Sequence, residues 1–113
     1  MTKDPKLNIV YITARDKSEA RKIGRELVRS RLVACVNIIN NMNSIYWWGG
    51  KLQDDHESII IAKTMKSLVP GVIKKVRSIH SYACPCVISV PVLGGSSEYI
   101  EWVKRETRPG KSK

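Results

Sequence analysis

Apolar positions change their period several times along the chain, and each change marks an element. Leu7–Thr13 (LNIVYIT) is β-branched and aromatic, and apolar on both parities from Ile9 to Ile12. That predicts a central strand buried on both faces. Ala20, Ile23, Gly24, Leu27 and Val28 then recur at i, i+3, i+4, i+7 and i+8, the stripe of a core-facing helix. Asp16 stands ahead of this stripe with Glu19 three places on, the spacing of a capping box. From Leu32 to Lys63 strand character returns and predicts two long strands. They meet at Gly49-Gly50, because glycine takes positive φ without steric penalty. Asn40–Asn43 interrupts the first strand, and the second is apolar from Ile59 to Ala62. Strands usually run about 5–6 residues, so this hairpin outgrows what its own protomer can cover.

Ser67 begins a second helix, with Pro70 in the first turn, where a missing N–H costs little. Val69, Val72, Ile73, Val76 and Ile79 form its apolar face, and it should stop near His80. Cys86–Leu93 reads as a strand, and Pro91 makes it an edge or bulged one. Gly94-Gly95 breaks the chain, and Ser96 or Ser97 caps a short third helix bearing Tyr99, Ile100, Trp102 and Val103. The order is βαββαβ with a C-terminal helix. This is an α/β (α+β) protein on the ferredoxin-like plan, with a long hairpin between strands two and three. One domain is expected at 7–107, between a flexible lead at 1–6 and a disordered basic tail at 108–113.

Right-handed crossovers put both long helices on one face of a four-stranded antiparallel sheet. The other face should be polar if it met water. Instead Val10-Tyr11-Ile12, Ile59-Ile60-Ile61 and Val87-Ile88 are apolar on both parities. Monomers rarely expose an apolar face of several hundred Å², so a homo-oligomer packed through sheet faces and hairpins is expected.

Composition changes the picture in two ways. The 113-residue chain has three cysteines, an odd number that excludes a full disulfide framework. It has no apolar run long enough to span a bilayer and no secretory leader, so a cytoplasmic setting is expected, with no membrane partner. The formal charge is +10. Lys17, Arg21, Lys22, Arg25 and Arg29 form a basic ridge on the first helix, and Lys74, Lys75 and Arg77 lie outside the apolar face of the second. RNA-recognition modules on this plan stack bases on aromatics of the open sheet face. Strand three has no aromatic between Glu57 and Thr64, and strand one has only Tyr11. Nucleic acid is therefore not an expected partner.

The richest chemistry is in His80-Ser81-Tyr82-Ala83-Cys84-Pro85-Cys86. Extended residues at i and i+2 face the same side, so Cys84 and Cys86 can offer two sulfurs to a soft ion such as Cu(I) or Zn(II), with His80 as a third donor. The plainer reading is that the thiols are packed at the start of the strand. Cys35 reads as a small core hydrophobe. It should not reach Cys84 within one subunit, since strands two and four start on opposite edges and opposite ends. Tyr46, Trp47 and Trp48 read as interface packing, or as one wall of a cleft between subunits. Lys63, at the end of an Ile run, either reaches out to water or sits in a polar pocket with Glu57, His80 or Tyr82. No Ser-His-Asp spacing, phosphate-binding glycine loop or H-E-x-x-H is present.

Six segments together resemble the CutA divalent-cation tolerance family: Val10–Thr13, Ala34–Ile39, Ser44–Leu52, Ile61–Thr64, His80–Tyr82 and Tyr99–Trp102. The resemblance runs in unbroken order from about Leu7 to Thr107. It implies a ferredoxin-like protomer in a tight homotrimer, similar to the nitrogen-regulatory signal proteins. It implies a link to divalent-cation tolerance, with copper or another divalent ion as ligand, and no established catalytic activity. Mammalian relatives are associated with anchoring of acetylcholinesterase. The family's suspected metal residues fall on Cys35 and His80, and its inter-subunit cleft on Trp48, Lys63 and Tyr82. Two positions depart from the family pattern. Cys86 stands where a Glu is usual after the proline, and Ala83 where an acidic or polar residue is common. Thiols in place of a carboxylate shift any metal preference toward softer ions. The basic surface departs as well, since the family is frequently acidic.

Overall fold

The computed structural model describes residues 4–108; the ends of the expected lead (1–3) and basic tail (109–113) lie outside the described residues. The elements are β1 (Leu7–Ala14), α1 (Lys17–Arg29), β2 (Cys35–Trp48), β3 (Lys51–Met65), a single 3-10 turn (Lys66–Leu68), α2 (Val69–Ile79), β4 (Val87–Pro91) and α3 (Ser97–Glu106). The sheet order is β2-β3-β1-β4, and every pairing is antiparallel. This is the predicted ferredoxin-like arrangement. β4 is an edge strand, as Pro91 requires, but it is shorter than the predicted Cys86–Leu93. The chain turns through a series of bends over residues 81–84 before it pairs. Helix α2 starts two residues later than Ser67, because the 3-10 turn comes first.

Alternation along the central strands separates the two faces. Val10, Ile12, Ile60 and Ala62 point under the helices and meet Ile23, Leu27, Val72 and Val76, all at 0% exposure. Burying each of the larger side chains stabilises by roughly 1.5–3 kcal/mol. Asp16 Oδ1 accepts the Glu19 N–H at 2.9 Å, as the capping spacing predicted. Helix α1 ends in a Schellman motif: Leu32 N–H donates to Leu27 O and Arg31 N–H to Val28 O. Arg31 takes the left-handed position (φ 64), and its guanidinium holds Glu106 of α3 at 2.9 Å. Val28, placed on the stripe by its spacing, lies at the margin and is exposed.

The opposite face is open. Ile9, Tyr11, Ile59 and Ile61 are half-buried there, while Ile39, Ile88 and Val90 are exposed at 49%, 56% and 49%. At the tip Gly49 and Gly50 both have positive φ, as the tight hairpin turn demands. The pairing steps from Ile39↔Ile59 to Met42↔Glu57, so β2 contains one extra residue. Asn41 absorbs the kink in the left-handed region (φ 63), which Asn tolerates better than most residues. That bulge is the Asn-rich interruption visible in the sequence. It flips the parity of β2, so Met42 joins Glu57 on the open face. Beyond Ala14↔Ser58 the hairpin has no β1 beside it and projects roughly 20 Å further. Ile45, Trp47, Trp48 and Leu52 on this arm are all more than half exposed.

Candidate functional site

A polar network ties the loop after α2 to the end of the sheet. His80 ends α2, and its ring is fully buried. Its Nδ1 accepts the Tyr82 N–H at 3.0 Å, so Nε2 carries the proton and donates to Thr13 O at 2.7 Å. Glu19 Oε2 lies 3.8 Å from Nδ1, but a nitrogen that accepts from Tyr82 forms no ion pair; His80 is a neutral, fixed imidazole. The Glu19 carboxylate instead receives two backbone N–H groups, Arg15 on Oε1 at 2.8 Å and Ser81 on Oε2 at 2.7 Å. Burial opposes its charge, yet the bonds from Ser81 and Arg15 outweigh burial and hold its pKa below the usual carboxylate range.

Tyr82 packs at a tilt of 48° against His80, with ring centroids 4.7 Å apart, and its hydroxyl donates to Glu57 Oε2 at 2.8 Å. Burial first, then the bond to Glu57 and the charge of that carboxylate, push the Tyr82 phenol far above its ordinary range. Glu57 is 8% exposed on the open-face side of β3. Around it stand three more groups of that face. The Tyr11 hydroxyl lies 3.5 Å from Met42 Sδ. Cys86 is anchored by its carbonyl, which accepts the Thr13 N–H at 3.3 Å, and by parity with Ile88 its side chain shares the face of Tyr11. Burial raises the Tyr11 pKa, and the charges of Cys86 and Glu57 raise it further. Partial desolvation raises the solvent-exposed Cys86 thiol; its bond with Thr13 opposes the rise, and Glu57 and Cys84 add to it. A carboxylate, a thioether, a thiol and two phenols thus share one end of the open face.

The residues predicted from sequence do not all meet within one protomer. Glu57 and Tyr82 are in direct contact. His80 adjoins them, but both of its nitrogens are engaged, so it offers no free donor to an ion. Among the described residues, no three His, Cys, Asp or Glu side chains converge as a metal cage within one protomer. Cys84 and Cys86 are both exposed free thiols. Cys35 is no core residue. Its register with Lys63 puts it on the open face, half-buried, with Sγ 3.4 Å from Tyr99 Oη. Lys63 is not in a pocket with Glu57, His80 or Tyr82. It donates to Asn37 Oδ1 at the far end of β3, six residues from Glu57 and so about 20 Å away. Trp48 pairs with Lys51, about 20 Å from Glu57 in the other direction, and is 58% exposed.

Sequence reasoning missed Glu19, Tyr11 and Met42 as site residues. Glu19 was legible only as a cap, and its second role needs the antiparallel helix pair that brings the end of α2 to the start of α1. Met42 depended on the bulge. Tyr11 had a signal, being the one aromatic on the open-face parity of a central strand.

A family model described as CutA1 divalent ion tolerance protein matches residues 8–106. The rice protein named "Protein CutA 1, chloroplastic" is 39% identical over 100 residues, which cover 88% of this chain and 56% of that protein. The "Divalent-cation tolerance protein CutA" of Thermus thermophilus is 35% identical over 99 residues, covering 88% of this chain and 96% of that one. The structure of the "Periplasmic divalent cation tolerance protein CutA" from Archaeoglobus fulgidus superposes with a TM-score of 0.88 at 34% identity, covering 90% and 99%. The chain spans just over half the length of the plant and mammalian relatives it matches. By family model, relatives and structure alike, the chain belongs to the CutA1 divalent ion tolerance protein family.

Proposed function

We propose that the chain is a homotrimeric divalent-cation tolerance protein that binds copper or another soft ion at the end of the open sheet face. The family match over residues 8–106 carries the tolerance role. Three features of the protomer support the rest. The open face and the hairpin arm carry exposed Ile39, Ile45, Trp47, Trp48, Leu52, Ile88 and Val90, more apolar surface than a monomer ordinarily leaves in water. Cys86 is an exposed thiol on the face of Glu57 and Met42, the exposed Cys84 precedes it by two residues, and thiolate and thioether ligands favour Cu(I) over hard ions. His80 and Cys35, suggested by the family resemblance, serve the fold on the protomer's own geometry: His80 pins the loop and Cys35 meets Tyr99.

No step of this reading is catalytic. The three free cysteines favour a reducing cytoplasm; the rice and Archaeoglobus relatives carry the compartment names chloroplastic and periplasmic. Among the described residues no helix is long and apolar enough to cross a membrane. Titration with Cu(I) and Zn(II) of the parent and of Cys84→Ser/Cys86→Ser tests the site. The double variant should lose at least tenfold in Cu(I) affinity, and equal affinities would end the assignment. Sedimentation equilibrium at micromolar protomer tests the assembly, and a single-subunit mass would refute it.

The buried Glu57–Tyr82 pair favours a second reading, a signalling or scaffolding trimer that binds a small ligand in an inter-subunit cleft. There Trp48 or Lys63 would come from a neighbouring copy, because one protomer holds each of them about 20 Å from Glu57.

A further inference from the structure

The helix layer opposite the apolar face carries a charge that neither reading uses. Lys17, Arg21, Lys22, Arg25 and Arg29 are all exposed on α1. Arg21, Arg25 and Arg29 stand four residues apart, about 6 Å of rise each, and make one straight ridge. Arg21, Lys22, Arg25 and Arg29 line a shallow groove along the helix, with Glu26 the one acid among them. On neighbouring α2, Lys74 and Arg77 are exposed and Lys75 is half-buried, and α2 contains no acidic residue. Among the described residues, none of these eight cations has a carboxylate within ion-pair distance. The carboxylates of α1 do not answer the ridge. Glu19 is buried against Arg15 and Ser81, and Glu26 is one half-buried acid among five cations.

Eight like charges on two adjoining helices repel one another and lower stability. The fold tolerates this on the face that an assembly closed through the sheets leaves outward. Against the expectation from sequence, which rested on the open sheet face, we infer that this helix layer is a docking surface for the phosphodiester backbone of nucleic acid, read without regard to sequence. The layer has no aromatic to stack a base, so the sheet-face mode of RNA-recognition modules has no part here. It also has the wrong make-up for a lipid surface. Membrane-adsorbing helices set large apolar residues beside the cations, whereas the only exposed large hydrophobic residue of α1 and α2 is Val28, at 37%. The greasy surface of this molecule is on its other side.

Fluorescence anisotropy with two labelled 20-base-pair duplexes of unrelated sequence, as DNA and as RNA, across a salt series tests the inference. The parent should bind both sequences alike, with affinity falling steeply with salt. Arg21→Gln/Arg25→Gln/Arg29→Gln keeps helix propensity and removes three phosphate contacts. It should flatten the duplex DNA salt slope by about 2.7 and weaken binding about a hundredfold at 0.15 M salt. A charge-matched variant, Lys51→Gln/Lys104→Gln/Arg105→Gln, should stay within about threefold of the parent. If the ridge variant loses its helical circular dichroism, Lys74→Gln/Arg77→Gln carries the test, with an expected slope change of about 1.8. Equal losses in the ridge and charge-matched variants overturn the inference, as does an absence of binding at 0.15 M salt. Capture by phosphatidylserine vesicles in place of the duplexes overturns it too.

Discussion

Replacing the buried Glu19 with Gln should destabilise the fold, and in a pH-dependent way. The carboxylate is 7% exposed and receives the Arg15 and Ser81 N–H groups at 2.8 and 2.7 Å. Gln keeps one carbonyl acceptor and turns an NH2 group toward the other N–H. One charge-assisted bond is lost, at about 1.5–3 kcal/mol, and a donor is left facing a donor; a net loss of about 2–3 kcal/mol follows. For a domain of this size that is a fall in Tm of roughly 10–20 °C, measured at one fixed protein concentration. The sign of the pH dependence follows from the lowered pKa. A carboxyl whose folded pKa lies below its unfolded value contributes fully above the unfolded value, about 4.3 for Glu. That contribution disappears as pH falls through the folded value. Parent and variant should therefore differ most at pH 7 and converge as the pH drops below about 4. Thermal unfolding followed by circular dichroism at pH 7, 5, 4 and 3 checks this. A difference that stays constant over that range, or is under about 2 °C at pH 7, would show that the Glu19 carboxylate does not tie Arg15 to Ser81 as a charged acceptor.

Two further outcomes test packing and electrostatics. A Cβ on Gly24 would stand 2.9 Å from Val36 Cγ2, a stiff β-branched neighbour on the core face of β2. Gly24→Ala should thus cost about 1–3 kcal/mol of overpacking, against about 1 kcal/mol gained in helix propensity. Adding Val36→Ala should recover part of the loss, and urea denaturation of Gly24→Ala, Val36→Ala and the double variant measures both terms. All four tyrosines are shifted upward: Tyr11, Tyr82 and Tyr99 first by burial, and Tyr46 first by its bond to Asp55. Tyr99, also bonded to Cys35, is pushed up to about 12. At pH 10 the native protein should show well under half of its phenolate absorbance at 295 nm, while the chain in guanidinium should show about half. Equal absorbance in the two would contradict the buried phenols.

The fold was readable because its signals are local and agree with one another. The stripe Ala20, Ile23, Gly24 and Leu27, the Asp16 cap and the Gly49-Gly50 turn each point to one conformation, and the structure adopts all three. The site was readable only in part. Glu57 and Tyr82 are 25 positions apart and meet because the loop after α2 folds back on the sheet end. From sequence alone the pair reads only as one possible pocket for Lys63. His80 stood out as a donor, but its availability depends on Thr13 O and the Tyr82 N–H, which no spacing reveals. Cys35 looked like a core residue because its neighbours are apolar; the register with Lys63 decides its face, and register is a long-range property.

The polar cluster at Glu57 and the apolar surface of the sheet occupy the same face, and that links ligand and assembly. Met42, Glu57, Tyr11 and Cys86 lie on the side where Ile39, Ile59, Ile88 and Val90 await cover. On the trimeric reading proposed above, covering that face dries the surroundings of the thiol and thioether and strengthens any ion they hold, since charge interactions grow as water leaves. Linkage then runs both ways: an ion that prefers the assembled state favours assembly by the same factor. Cu(I) affinity should therefore fall when the protein is diluted below its own dissociation concentration, and Cu(I) should move the sedimentation midpoint to lower protomer concentration. An ion bound equally by assembled and dissociated protomers would sit outside the covered face, at Cys84 rather than beside Glu57.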